Sequence, residues 1–283
     1  MGLGSAPMWF DTHTHLFLLE SDHASEANSP ALLAEVIQTA FDHGVTRILC
    51  VGIDVETSRR SVNLAHQFPD RLWAAVGIHP NSANGASSAD WHEIVELARD
   101  DSVVAIGETG LDWYRDFTPH PVQVEWFEKH WTLAQEVGKP LVVHCRDAEK
   151  DMTEILSRWT REGTVRAVMH ACAAPWEIVS RWLDWEGIVV SFAGSVTYKN
   201  TKFAPIRETA QRVPLDRILV ETDCPYLVPE PHRGRVKTSV PSHVKDTGHF
   251  LAKLRDVSPE ELAAQTTHNA LRTFGIPPQQ KGY

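Results

Sequence analysis

His13 and His15 stand two residues apart in Asp11-Thr12-His13-Thr14-His15, at the end of the apolar pair Trp9-Phe10. Alternate residues of a strand share a face, so the two imidazoles can converge as a chelating pair. The placing recurs downstream. His79 follows Gly77-Ile78, Glu108 and Asp112 follow Gly107, His144 follows Leu141-Val142-Val143, His170 follows Met169, and Glu221 and Asp223 follow Val220. Each alone reads as an ordinary hydrogen-bonded polar residue beyond a strand, but six of eight apolar runs ending this way point to a site. Even four imidazoles and two carboxylates from this set are too many for one closed zinc site. They suit two divalent ions sharing a carboxylate.

Eight short runs rich in apolar and β-branched residues can position these groups: Met8–Asp11, Val45–Val51, Leu72–Ile78, Val103–Gly107, Leu141–Val143, Val165–Met169, Ile188–Phe192 and Arg217–Val220. Several are apolar almost throughout, as strands covered on both faces are. Between them lie stretches of helical periodicity. Ser29-Pro30 opens one that closes at Gly44; Pro121 begins another, with Trp126, Phe127, His130, Trp131 and Ala134 on one face and Gly138 at its end. Ser258-Pro259-Glu260-Glu261 has the form of a capping box opening a last helix to about Phe274, before Gly275. Eight strands alternating with helices, with no linker between, predict a single-domain (β/α)8 TIM barrel with a core from about residue 9 to 275, rather than a doubly wound open sheet. In such a barrel the active site lies at the C-terminal mouth, where the polar residues fall.

At 283 residues the chain is within the range of one such barrel, and its formal net charge of -10 opposes loose binding to nucleic acid or to anionic membranes. Any nucleic-acid role is then local. The four cysteines, Cys50, Cys145, Cys172 and Cys224, form no C-x-x-C pair and read as buried free thiols of a reducing compartment. Gly2 lacks the Ser or Thr at position six that myristoylation wants, since Ala6 stands there, and neither a signal peptide nor a membrane-spanning run is visible. A cytoplasmic monomer without membrane association is the expectation.

Taken together, Asp11-Thr-His13-Thr-His15, Gly77-Ile-His79-Pro80, Gly107-Glu108-Thr-Gly-Leu-Asp112, His144-Cys-Arg146, Ser191-Phe-Ala-Gly-Ser-Val-Thr-Tyr198 and Glu221-Thr-Asp223-Cys-Pro225 resemble the TatD family of metal-dependent deoxyribonucleases, from about Phe10 to Phe274. That family belongs to the amidohydrolase-like barrels. The resemblance implies that His13, His15 and Asp223 hold one metal, that His144 and His170 hold the other, and that Glu108 bridges them. It also implies hydrolysis of phosphodiester bonds, often as a 3′→5′ exonuclease, with single-stranded DNA or DNA 3′ ends as substrate. Two segments depart from the family pattern, Ala171-Cys172-Ala173-Ala174 after His170 and Thr238-Ser239-Val240-Pro241 later on; both bear on substrate choice rather than on the metal set.

Such hydrolysis needs a nucleophile at neutral pH and neutralisation of charge on the phosphoryl group, which two ions about 3.5–4 Å apart supply through a bridging hydroxide. Asp223 is the candidate to orient or deprotonate that water. His79 would contact substrate or orient a ligand, and Glu221 would act as a buried acceptor under the mouth. Arg146, Lys199, Arg233 and Arg235 are candidate phosphate contacts, and Trp113-Tyr114 would stack on an unpaired base. Mixed imidazole and carboxylate ligands accept Zn, Mn, Co or Ni, with Mg less natural. The same centre also suits a small phosphoester, ester or amide, and a catalytically silent binding barrel is the reading from another class.

Overall fold

The computed structural model describes residues 7–19 and 30–278. The readings at Gly2, Ala6 and Ser29 lie outside these. Eight strands, β1 (Trp9–Thr14), β2 (Val45–Val51), β3 (Leu72–Val76), β4 (Val103–Asp112), β5 (Leu141–Arg146), β6 (Ala167–Met169), β7 (Ile188–Phe192) and β8 (Ile218–Val220), pair in parallel in sequence order. Among the described residues ten α-helices flank them: α1 (Leu16–Leu19), α2 (Pro30–Asp42), α3 (Val55–Gln67), α4 (Ser88–Leu97), α5 (His120–Val137), α6 (Glu149–Glu162), α7 (Trp176–Leu183), α8 (Ala204–Arg212), α9 (Val244–Leu254) and α10 (Pro259–Phe274). The architecture is the single-domain (β/α)8 barrel, nearly closed, and the open-sheet alternative is excluded by the order of the strands.

The strands are buried on both faces because each side chain layer has its own partner. Ile48, Cys50, Leu141 and Val143 face the helices, while Leu49, Val51, Val142, Val168 and Leu219 fill the barrel interior. Phe274 and Ile276 pack into the same inner cluster, and the Phe274 ring lies 6.1 Å from that of Phe10. Burying a side chain of that size contributes about 1.5–3 kcal/mol. The carboxyl-terminal helix α10 thus closes the bottom, leaving the top for chemistry. Its first turn shows one half of the expected capping box, Ser258 Oγ accepting from Glu261 N (3.1 Å), and at its end Gly275 adopts φ 67° past the last turn. Gly138 ends α5 in the same way, at φ 66°.

The last seam is sewn at the mouth. Asp223 N donates to His13 O (2.9 Å) and His15 N to Cys224 O (2.8 Å), while the Asp11 carboxylate accepts from Thr222 N (2.8 Å) and Thr222 Oγ1 (2.6 Å). Asp11 therefore fixes the segment that carries Asp223 against the strand that carries His13.

Three strand boundaries differ from expectation where they matter. β5 runs to Arg146, three residues beyond Val143, so His144 and Arg146 are strand residues. β1 runs three residues beyond Asp11, and β4 continues past Gly107 to Asp112, so His13, Glu108 and Asp112 are strand residues rather than loop residues. Both strands break register there, β1 against β2 between Asp11 and Thr14, and β4 against β5 between Ile106 and Thr109. Such irregularities re-aim side chains without ending the ladder. In β4 the close approach requires glycine. A Cβ on Gly110, whose φ is 130°, would lie 2.1 Å from His144 O. The smaller differences, β3 ending at Val76, β6 starting at Ala167 and β8 at Ile218, move no residue of the site.

Candidate metal centre

The side chains of β1, β4, β5 and the turns after β6 and β8 meet around one carboxylate. Glu108, 2 % exposed, directs Oε2 at His13 Nε2 (3.3 Å) and His15 Nε2 (3.4 Å). Its Oε1 lies 2.9 Å from His170 Nε2, 3.0 Å from His144 Nδ1 and 3.4 Å from His79 Nε2. Asp223 Oδ1 completes the first group at 3.5 Å from His15 Nε2 and 3.7 Å from His13 Nε2, with the two imidazole nitrogens 3.2 Å apart. Donors held about 2.0–2.1 Å from a tetrahedral ion stand about 3.4 Å from one another. In the first group the two imidazole nitrogens lie 3.2 to 3.7 Å from each other and from the two carboxylate oxygens, and Glu108 Oε1, His144 Nδ1 and His170 Nε2 show a similar spacing, with 3.4 Å between the two imidazoles. The residues fit divalent ions on both sides of Glu108, by the spacing and chemistry of their donors.

Hydrogen bonds on the far side of several rings fix which nitrogen offers its lone pair. His15 Nδ1 donates to Val51 O (2.8 Å), which leaves Nε2 bare toward Glu108. His144 is reversed: Nε2 donates to Asp112 Oδ2 (3.1 Å), leaving Nδ1 for the cluster. His79 Nδ1 accepts from Asn81 N (3.0 Å), so in the neutral ring Nε2 carries the proton and faces Glu108 as a donor. Glu221, fully buried, accepts from Ala171 N (2.6 Å) with Oε1 lying 3.4 Å from His170 Nδ1, as a buried acceptor under the mouth.

The titration of the cluster expresses its demand for positive charge. Burial would raise the Glu108 carboxyl, but the surrounding histidines hold it well below the usual range. Burial opposes a proton on His15, yet Asp223 and Glu108 push its pKa up to about 10. A proton there and a divalent ion are alternative sources of the same charge, so metal uptake releases protons and strengthens as pH rises.

Asp112, not counted among the sequence-derived site residues, holds His144 and is itself held. Its Oδ1 accepts from Tyr114 N (3.0 Å) and Arg115 N (2.9 Å), and Oδ2 accepts from Asn81 Nδ2 (3.1 Å). Its place four residues after Glu108 was a visible signal, but the pairing with His144 arises only from the β4–β5 register. Asp112→Ala should weaken metal binding about 10–100-fold in calorimetric titration with Mn or Zn. An unchanged affinity would show that His144 needs no such support.

His130 was visible only as part of an apolar helical stripe. It is buried in α5, donates from Nδ1 to Trp126 O (2.7 Å) and accepts at Nε2 from Ile78 N (2.9 Å), which fixes the backbone just before His79. The bond accepted at Nε2 needs the neutral ring, and burial pushes its pKa down from 6.5 to about 4. As pH falls from 6.5 to about 4, the unfolded chain takes up a proton that the folded chain refuses. Stability is then lost in that window, by up to about 3 kcal/mol, and no further below it. His130→Gln keeps an acceptor without the titration, so the stability gap between wild type and variant in urea melts should narrow by that amount on acidification. Parallel curves would contradict the assignment.

The cationic candidates lie further out, and all four are exposed. The Arg146 guanidinium sits 3.7 Å above the Tyr114 ring and that of Arg233 3.9 Å above Tyr198, while Lys199 and Arg235 project from loops. The pair Trp113-Tyr114 divides. Trp113 turns inward, bonding through Nε1 to Asp151 Oδ2 (2.8 Å) and stacking on His120 at 3.7 Å, because its indole N–H finds a half-buried carboxylate; Tyr114 stays exposed. The cysteines are free, three of them buried and Cys145 partly so, and no helix among the described residues is long and apolar enough to cross a membrane.

A family model described as TatD related DNase matches residues 10–275. A Bacillus subtilis protein named uncharacterized metal-dependent hydrolase YabD is 38% identical over 269 residues, covering 95% of this chain and 100% of its own. A Pantoea ananatis protein named 3′-5′ ssDNA/RNA exonuclease TatD is 33% identical over 244 residues, covering 86% and 93%. In fold, the crystal structure of the Escherichia coli TatD homologue YJJV superposes with a TM-score of 0.82 at 23% identity, over 95% of this chain and 98% of that one. With its barrel, its buried donor cluster and these relatives, the chain belongs to the TatD family of metal-dependent hydrolases.

Proposed function

We propose that the protein is a 3′→5′ exodeoxyribonuclease acting on single strands through two divalent ions. His13, His15 and Asp223 would hold one ion, His144 and His170 the other, and Glu108 both. The observation that carries this reading is the division of Glu108, whose two oxygens face separate donor groups with the spacing of ligands. When bound, the ions would neutralise charge on the phosphoryl oxygens and lower the pKa of water at the site. The chain supplies the rest. Asp223 stands at the edge of the cluster, where its carboxylate can accept the proton of an attacking water. His79 holds Glu108 Oε1 from the proton-bearing side, and Asp112 holds His144 with its lone pair inward. Arg146 at the end of β5, and Lys199, Arg233 and Arg235 on mouth loops of an otherwise acidic protein, are assigned to phosphates flanking the scissile one.

The name of the Pantoea relative supports the nucleic-acid substrate and the polarity. The test is a time course on a single-stranded DNA labelled at the 5′ end, with protein reloaded with Mn, Mg or Zn. A ladder of products shortened stepwise from the 3′ end is expected. An intact substrate from protein that holds two ions per chain would reject the nuclease reading and leave the hydrolase of the family without this substrate.

A further inference from the structure

Five large hydrophobic side chains are exposed among the described residues: Met8, Tyr114, Phe117, Tyr226 and Val236. All but Met8 lie on the two segments that follow β4 and β8, at the mouth. Single exposed apolar residues need no explanation, but aromatic rings gathered at one rim mark a binding surface. The rings also flank the cluster from two sides. Tyr226, 55 % exposed, follows Asp223 by one turn, its N bonded to Asp223 O (2.9 Å), and its ring centroid is 6.3 Å from that of His15. Tyr114, 57 % exposed, adjoins the other side, where its N bonds the Asp112 carboxylate that holds His144. Arg146 covers Tyr114 at 3.7 Å, and Arg115 lies 5.4 Å from the same ring and 5.8 Å from that of Phe117.

We propose that Tyr226 and the Tyr114–Arg146 pair form a base-stacking clamp, taking one unpaired base on each side of the phosphate held at the donor cluster. The clamp rests on the nuclease reading and specifies its substrate as a single strand with splayed bases. Aromatic rings accept any base by its π face, while the guanidiniums meet the phosphates between them, so the clamp is indifferent to sequence. A duplex offers no free base face at its interior. Blunt ends would then be poor ligands until they fray.

The test reads binding, not turnover. Manganese-loaded full-length protein is titrated into a fluorescein-labelled oligothymidylate whose last linkages are phosphorothioates that resist hydrolysis, and into the same oligonucleotide with abasic sites at its last two positions. Tyr226→Ala and Tyr114→Ala should each weaken binding of the intact strand about tenfold. Tyr226→Phe, which keeps the ring, should bind as wild type does. On the abasic strand wild type should already be weak, and the alanine variants should lose nothing more. Alanine variants that bind the intact strand as wild type does, or that lose equally on both strands, would overturn the clamp alone while wild type still shortens DNA. Self-association that Tyr226→Ala abolishes, with DNA binding unaltered, would assign the rim to a second copy of the chain and overturn it too. Wild-type protein that binds neither strand would remove the nuclease reading and the clamp together.

Discussion

Glu108→Ala should release both metal ions and lower kcat/KM by about three orders of magnitude or more, with the barrel still folded. Every imidazole of the cluster faces this carboxylate, three at Oε1 and two at Oε2. Removing it takes away the one ligand common to both donor groups and the charge that offsets their cations. Lewis-acid stabilisation of a phosphoryl transition state is worth several kcal/mol, and each 1.4 kcal/mol or so is a factor of ten. The fold should survive because the backbone bond from Glu108 N to Gly52 O (3.0 Å) does not depend on the side chain. Elemental analysis of the dialysed variant, with circular dichroism beside it, checks both halves. Two ions retained per chain, or turnover within tenfold of wild type, would remove Glu108 from the centre.

Asp223→Asn should lower kcat by about 10²–10⁴-fold while changing KM far less. The substitution is chosen for the backbone. Asp223 has φ 57°, its N bonds His13 O and its O receives Tyr226 N, so the residue ties the barrel seam to the mouth turn. Asparagine matches the shape and tolerates the left-handed region, where most side chains cost about 1–2 kcal/mol. What it loses is the charge that accepts a proton. Steady-state kinetics on a single-stranded substrate separates the roles: an unchanged kcat with a raised KM would make Asp223 a substrate contact, and loss of one ion would make it chiefly a ligand.

Much of this site could be read from the chain because strands impose a period of two and barrels put function at one end. His13 and His15 converge as that period requires, and His144, His170 and Asp223 each stand at or just beyond the top of a strand. The helix ends at Gly138 and Gly275 were equally plain, since a left-handed cap favours glycine. The extent of β4 was not. Gly107-Glu108-Thr109-Gly110 has poor strand propensity, and only its pairing with β5 through a register break keeps it in the sheet. For the same reason the role of Asp112 is hidden in the sequence, its partner His144 being 32 residues away. His79 needed a backbone N–H from Asn81 to fix its tautomer, and Trp113 needed Asp151 to show which way it turns. Long-range pairings of this kind leave no periodicity to read.

The most direct test of the centre is an anomalous-scattering map from crystals of the protein grown with manganese. Two peaks about 3.5–4 Å apart on either side of the Glu108 carboxylate, one beside His13, His15 and Asp223 and the other beside His144 and His170, are expected. A single peak at full loading, or peaks away from Glu108, would contradict a shared carboxylate and with it the two-ion reading of this hydrolase.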